Sequence, residues 1–174
     1  ARDRRLRAEL EAYHGNPSED ALKHIWKNLG SQDRAIRYAA RVALEWQPVE
    51  TWREQALEER HPDRAIQAII ALARVTGRDE PHRQTGSPRP DAALQARMFD
   101  TLDRLDWDRL DNRRRLDLLR AYTLVLTRHD RPDAALSNTL RTKFENWFPG
   151  ETPEQAFELA QFLVYFESPV AAEK

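Results

Sequence analysis

Cysteine is absent from the chain of 174 residues. Its absence excludes thiol catalysis, disulfide bonds, cysteine-ligated metals and covalent c-type haem attachment within this chain. Glycine is scarce, with five residues, so the chain has little material for the backbone cradles that bind phosphates, and no phosphate-loop or dinucleotide motif occurs. No apolar run approaches the roughly 18–20 residues that span a bilayer.

An excess of charge of one sign is also missing. The chain has 28 basic and 29 acidic residues and a formal net charge of -1. Proteins that bind nucleic acid usually carry a clear basic excess, so a nucleic-acid partner is not favoured. Hydrophobic residues make up 40% of the chain, which is enough to build a core and too much for a disordered chain.

Helical periodicity runs through the sequence, and alternating strand patterns are absent. Prolines followed by acids mark several starts, as expected for helices. The predicted helices span residues 3–13, 17–29, 33–46, 49–60, 63–76, 91–105, 112–128, 133–147 and 153–167. The sequence therefore predicts an all-α protein.

The predicted helices form one domain over residues 1–174, with two sub-units at 17–76 and 91–167. The stretch GRDEPHRQTGSPRP, residues 77–90, joins them as a loop. Loops of this length in compact domains are usually mobile or functional. We expect this loop to be a mobile contact element.

Two short sequences recur along the chain. Asp-Arg-Ala-Ile occurs at 33–36 and 63–66, and Arg-Pro-Asp-Ala-Ala-Leu occurs at 89–94 and 131–136. Together with the alternation of helices and short turns, this repetition favours stacked helical hairpins. The segment 65–75 is apolar almost all round, so it must be covered on several sides, as a central helix of a stack is.

The segment DRAIRYAARVALE, residues 33–45, resembles the second helix of a HEAT repeat. In that family the residues matching Asp33 and Arg37 typically form polar ladders between adjacent repeats. The second copy departs from the pattern, because Gln67 stands where the arginine would be. The resemblance implies a right-handed α-solenoid of about four stacked antiparallel hairpins.

A second resemblance covers the later part of the chain. Residues 118–132 and 158–174 are similar to the HEAT-type region of large exported bacterial proteins, which often also carry a c-type cytochrome domain. The resemblance implies a periplasmic or exported location and a chain that is a fragment of a longer protein. The aromatic-rich end is then expected to continue into a further repeat.

Second helices line the concave side of a HEAT-like stack, and this placement gives the candidate binding residues. It brings arginines of the polar helix faces toward one surface, where an acidic protein segment would dock. The predicted binding residues are Arg34, Arg37, Arg41, Arg64 and Arg74, with Arg120 as a further candidate. Ion pairs within the repeats would compete for the same side chains.

Catalytic and metal-binding patterns are not found. The five histidines lack the spacing of a metal site, and the four aspartates of residues 103–111 are interpreted as capping acids around a turn. The basic clusters at 2–7 and 113–115 are interpreted as solvated faces with acid partners, and the five tryptophans as wedges between helices. We expect no metal, no cofactor and no enzymatic activity.

The sequence predicts a non-catalytic interaction scaffold or spacer within a larger exported protein. Its partner would be other domains of the same chain or an acidic protein segment. One alternative is a nucleic-acid-binding or DNA-repair HEAT-like module, for which salt-sensitive DNA binding would decide. The other is an accessory part of a cytochrome-containing oxidoreductase.

Overall fold

A computed structural model of the protein describes residues 2–18, 20–78 and 90–173, without the side chains of 172 and 173. Every regular element in these ranges is helical and none is a strand, so the all-α prediction is confirmed. The helices are α1 (Arg2–Glu11), α2 (Ala21–Asn28), α3 (Arg34–Glu45), α4 (Arg53–Glu58), α5 (Pro62–Thr76), α6 (Ala92–Asp103), α7 (Asn112–Arg128), α8 (Ala134–Trp147), α9 (Pro153–Tyr165) and α10 (Val170–Glu173). Short 3-10 turns lie at Val49–Thr51 and Trp107–Arg109.

Most predicted boundaries agree with the structure within about two residues, and three differences are larger. The predicted helix 17–29 begins only at Ala21. The predicted helix 49–60 is divided at Trp52, whose buried indole Nε1–H donates to the Gln47 carbonyl oxygen at 3.3 Å. Helix α10 was not predicted. The predicted loop 77–90 lies outside the described residues, except for Gly77, Arg78 and Pro90.

The odd-numbered helices pack against one another in chain order. Helix α1 contacts α3, α3 contacts α5, α5 contacts α7, and α7 contacts α9. The even-numbered helices flank this row: α2 packs on α3, α4 and α6 pack on α5, and α8 packs on α9. The contacts among the described helices therefore centre on the row of odd-numbered helices.

Helix α5 lies at the centre of this arrangement. Residues 65–73 are all buried, as their apolar pattern predicts, because α3, α4, α6 and α7 all pack around the helix. The buried apolar side chains form one core that extends from Leu10 to Phe166.

Aromatic side chains fill the core near α8 and α9. Phe144 stacks on Phe162 with ring centroids 4.2 Å apart, and Trp147 stacks on Trp107 at 4.4 Å. Most of the tryptophans are packed between helices, as predicted. The exception is Trp46, which is 53% exposed.

Candidate interaction groove

A shallow groove of about 140 Å³ crosses α3, α5 and α7. Helix α3 contributes Arg34, Arg37, Tyr38 and Arg41. The opposite side comes from α5 and α7, with Gln67, Ile70, Asp117 and Arg120. We call this surface, with four arginines and one aspartate, the arginine groove.

Arg37 and Arg41 line the groove, and both are buried, although they were predicted to lie on a polar helix face. The Arg37 Nη1–H group donates to the carbonyl oxygens of Ser31 and Gln32 at 2.7 and 3.0 Å. These carbonyls belong to the turn before α3. Arg37 thus fixes its own hairpin and does not reach a neighbouring one.

Arg41 is held by two neighbours on α3. It forms an ion pair with Glu45, four residues later, and its guanidinium lies 5.1 Å from the centre of the Tyr38 ring. Burial lowers the pKa of Arg41, and the nearby charges of Arg74 and Arg120 lower it further, whereas Glu45 opposes the shift. The charges of Arg74 and Arg120 therefore lie near enough to Arg41 to act on it.

Glu45 also connects α3 to α5. Its carboxylate lies 3.0 Å from Arg74 Nε, so one carboxylate is shared by Arg41 and Arg74. Arg74 is 40% exposed but, contrary to the prediction, is not among the residues that line the arginine groove.

Arg34 and Arg120 are the exposed arginines of the groove. Neither has an ion-pair partner among the described residues. They lie on α3 and α7, with Gln67 and Ile70 of α5 between them.

Arg64, the remaining predicted binding residue, does not line the groove. Its Nε–H donates to Glu59 at 2.8 Å. Glu59 also accepts from the indole Nε1–H of Trp26 at 2.8 Å, so Arg64 belongs to a connection between α2, the end of α4 and α5.

A polar connection also links α5 to α7, but not through the predicted Asp33–Arg37 pattern. Asp33 caps its own helix, where its carboxylate accepts from the Ala35 and Ile36 N–H groups at 2.7 and 3.1 Å. The corresponding Asp63 is 1% exposed and binds Arg113 at 2.6 Å and Arg114 at 2.9 Å. The basic cluster at 113–115 thus has a buried acid partner on the neighbouring helix.

A second cleft, of about 700 Å³, continues from the arginine groove and shares Asp117 and Arg120 with it. Leu116 and Thr123 of α7 form one side. The other side belongs to α9, with Pro153, Glu154, Phe157 and Glu158. We call this surface the α7/α9 cleft. Phe157 is 67% exposed in it.

Titratable side chains also meet between α6, α7 and α8. The buried Tyr122 hydroxyl donates to Asp103, and Lys143 forms an ion pair with the same carboxylate. Burial raises the pKa of Tyr122, and the negative charge of Asp103 adds to the effect. The contacts join three helices, and none of these residues lines the groove or the cleft.

Metal-binding clusters of three or more histidines or carboxylates are not found in the described part of the chain. None of its helices combines the length and apolarity that crossing a membrane requires. Comparison of the chain with protein-family models, with curated proteins and with solved structures gives no significant match. The HEAT resemblance therefore stays a prediction.

The structure brings together Arg34, Arg37, Arg41 and Arg120, which were predicted to share one surface. Phe157 and the acids of the α7/α9 cleft were not predicted as binding residues. Positions 154, 157 and 158 share one face of α9 by helical spacing, but their sequence does not indicate that this face adjoins the groove.

Proposed function

We propose that the chain is a non-catalytic interaction scaffold within a larger exported bacterial protein, and that its arginine groove binds an acidic segment of a protein partner. The scaffold would be a HEAT-like α-solenoid whose odd-numbered helices line the concave side. Its mechanism is geometric, because stacked repeats hold an extended surface in a fixed shape.

The packing order supports the solenoid. Each odd-numbered helix from α1 to α7 packs on the next odd-numbered helix, and even-numbered helices pack against members of this row. Two polar connections hold neighbouring members of the row in register: Glu45 with Arg74, and Asp63 with Arg113 and Arg114. Quasi-one-dimensional contact of this kind is typical of helical repeats.

The observation that carries the proposed binding role is the pair of exposed arginines that form no ion pair with any described residue. Arg34 and Arg120 face the same groove, and Arg41 and Arg74 add positive potential that Glu45 only partly offsets. Carboxylates of a partner would supply charge-assisted, bidentate hydrogen bonds to these guanidinium groups.

The proposal is tested by a nuclear magnetic resonance titration of the full chain with an acidic peptide of about six residues, the length that spans two helix spacings of about 8–10 Å. The Nε–H signals of Arg34 and Arg120 are expected to shift and saturate. Charge reversal of both, Arg34→Glu with Arg120→Glu, is expected to weaken binding at least about tenfold.

A matched control reverses two exposed arginines outside the groove, Arg4→Glu with Arg109→Glu. It changes the net charge equally and should leave the affinity within about twofold. Equal loss in both double variants would refute the groove as the binding site. Tighter, steeply salt-dependent binding of a single-stranded oligonucleotide would favour the nucleic-acid alternative instead.

A further inference from the structure

The arginine groove and the α7/α9 cleft have opposite character, although they are continuous. The groove is lined by four arginines and one aspartate. The cleft contains Asp117, Glu154 and Glu158 against Arg120, around the apolar side chains of Leu116 and Phe157. A ligand that crosses both surfaces meets positive charge first, then an apolar surface with negative charge around it.

Phe157 is unusual among the aromatic side chains of this end of the molecule. Phe144, Phe162 and Phe166 are buried and stack on one another. Phe157 is 67% exposed and lies beside a cleft of about 700 Å³. This volume lies within the range of pockets that enclose small ligands, roughly 300–1,000 Å³, so the cleft has room for a large apolar side chain.

We propose that the two surfaces together recognise one extended, bipartite peptide segment, in which an acidic stretch is followed by a large apolar residue and then by basic residues. The acids bind Arg34 and Arg120, the apolar residue packs on Phe157 and Leu116, and the basic residues face Glu154 and Glu158. This inference rests on the proposed function and adds to it the order of residues in the partner.

The change from positive charge in the groove to negative charge in the cleft favours a peptide ligand over a nucleic acid. The phosphates of a nucleic acid follow its whole backbone at regular spacing, so a strand that crosses both surfaces would bring phosphates next to Glu154, Glu158 and Asp117. A peptide can match its charge to each half separately. Charge complementarity along the surface therefore favours a protein segment.

The span sets the length of the segment. From α3 to α9 there are three helix spacings of about 8–10 Å each. An extended peptide covers that distance in about nine residues, at about 3.3 Å per residue. The test peptide therefore has four acidic residues, a two-residue spacer, one phenylalanine and two lysines.

Binding of this labelled peptide to the full chain is measured by fluorescence polarisation. The peptide is expected to bind at least about tenfold more tightly than a peptide of the same composition in shuffled order. Phe157→Ala is expected to weaken binding about tenfold. Val164→Ala is the matched control, because Val164 lies on the same helix with the same exposure, 68%, and outside the cleft.

A charge swap tests the basic half separately. Glu154→Lys with Glu158→Lys is expected to weaken binding about tenfold and to regain it when the two lysines of the peptide are replaced by glutamates. Both residues lie on the surface of α9, and circular dichroism checks that each variant keeps its helical content.

The outcomes distinguish the two proposals. One outcome is that the Arg34 and Arg120 double variant loses binding, while the shuffled peptide binds as tightly as the designed one and Phe157→Ala binds as tightly as the wild type. In that case the bipartite inference is wrong and the proposed function stands. If the arginine double variant binds the designed peptide as well as the wild type does, the proposed function fails as well. A single-stranded oligonucleotide that binds more tightly than the peptide would overturn both.

Discussion

Replacement of Glu59 by glutamine tests most directly how a half-buried, hydrogen-bonded carboxylate stabilises the fold. The Glu59 carboxylate accepts from the Arg60 and His61 N–H groups at 2.9 and 2.8 Å, in addition to Trp26 and Arg64. Burial by itself would raise the pKa of Glu59, but the hydrogen bonds from Arg64, His61, Trp26 and Arg60 prevail and lower it from 4.5 to about 2.

The difference between the folded and the ordinary pKa of Glu59 gives an upper limit for how much its carboxylate stabilises the fold. At about 1.4 kcal/mol for each pKa unit, the ionised carboxylate contributes at most about 3 kcal/mol. Arg64 is 35% exposed, so solvent screening reduces the effect and we expect Glu59→Gln to lower the free energy of unfolding by about 1–2 kcal/mol at pH 7. In a chain of this length, each kcal/mol of lost stability lowers Tm by about 2–4 °C.

Urea unfolding followed by circular dichroism measures this loss. Because the folded pKa is depressed, the contribution is complete above pH 4.5 and disappears as the pH falls through about 2. The difference between wild type and Glu59→Gln should therefore narrow between pH 4.5 and 2. The control is Glu58→Gln, the same change at an exposed neighbour. Equal stability of the two variants at pH 7, or a gap that stays constant with pH, would refute the assignment.

Three further predictions concern other buried or constrained positions. Asp63→Asn removes a buried carboxylate between two arginines and should lower the free energy of unfolding by about 2–4 kcal/mol in urea. Burial lowers the pKa of His129, although the charges of nearby aspartates oppose the shift, so the folded state disfavours protonation of this side chain. The free energy of unfolding should therefore fall as the pH drops below 6.5, and it should fall less in His129→Gln. Gly150→Ala should lower Tm more than Gly15→Ala, since both have positive φ but the added Cβ at Gly150 would lie 2.7 Å from Gln155 Oε1, while at Gly15 it meets nothing within 4 Å. Equal Tm losses in the two glycine variants would contradict the contact.

The sequence predicted the helical segments and the burial of α5 because these depend on local signals. Helical period gives the face of a helix, and prolines and capping acids give its start. The unpredicted division at Trp52 depends instead on a tertiary contact, since its indole is fully buried against Gln47.

The arginine set was only partly predictable, for a related reason. The HEAT-like stacking predicted that Arg41 and Arg74 share a surface with other arginines, but not that Glu45 lies between them. Arg64 was predicted to lie on the binding surface, but it forms an ion pair with Glu59, five residues earlier in the chain. The sequence does not show this ion pair, because it depends on how the turn before α5 folds. Which arginines keep their charge for a partner is decided by packing between helices.

Every basic residue that lines the arginine groove and the α7/α9 cleft is an arginine. A guanidinium group stays protonated throughout the pH range of living cells, and it is not a substrate for the acetylation that neutralises lysine. Neither acidification nor acetylation would therefore release an acidic partner by discharging these surfaces. A phosphate added to the partner would bring about two further negative charges and strengthen the contact. Control of such an association by acidification or acetylation would therefore have to act on the partner and not on these arginines.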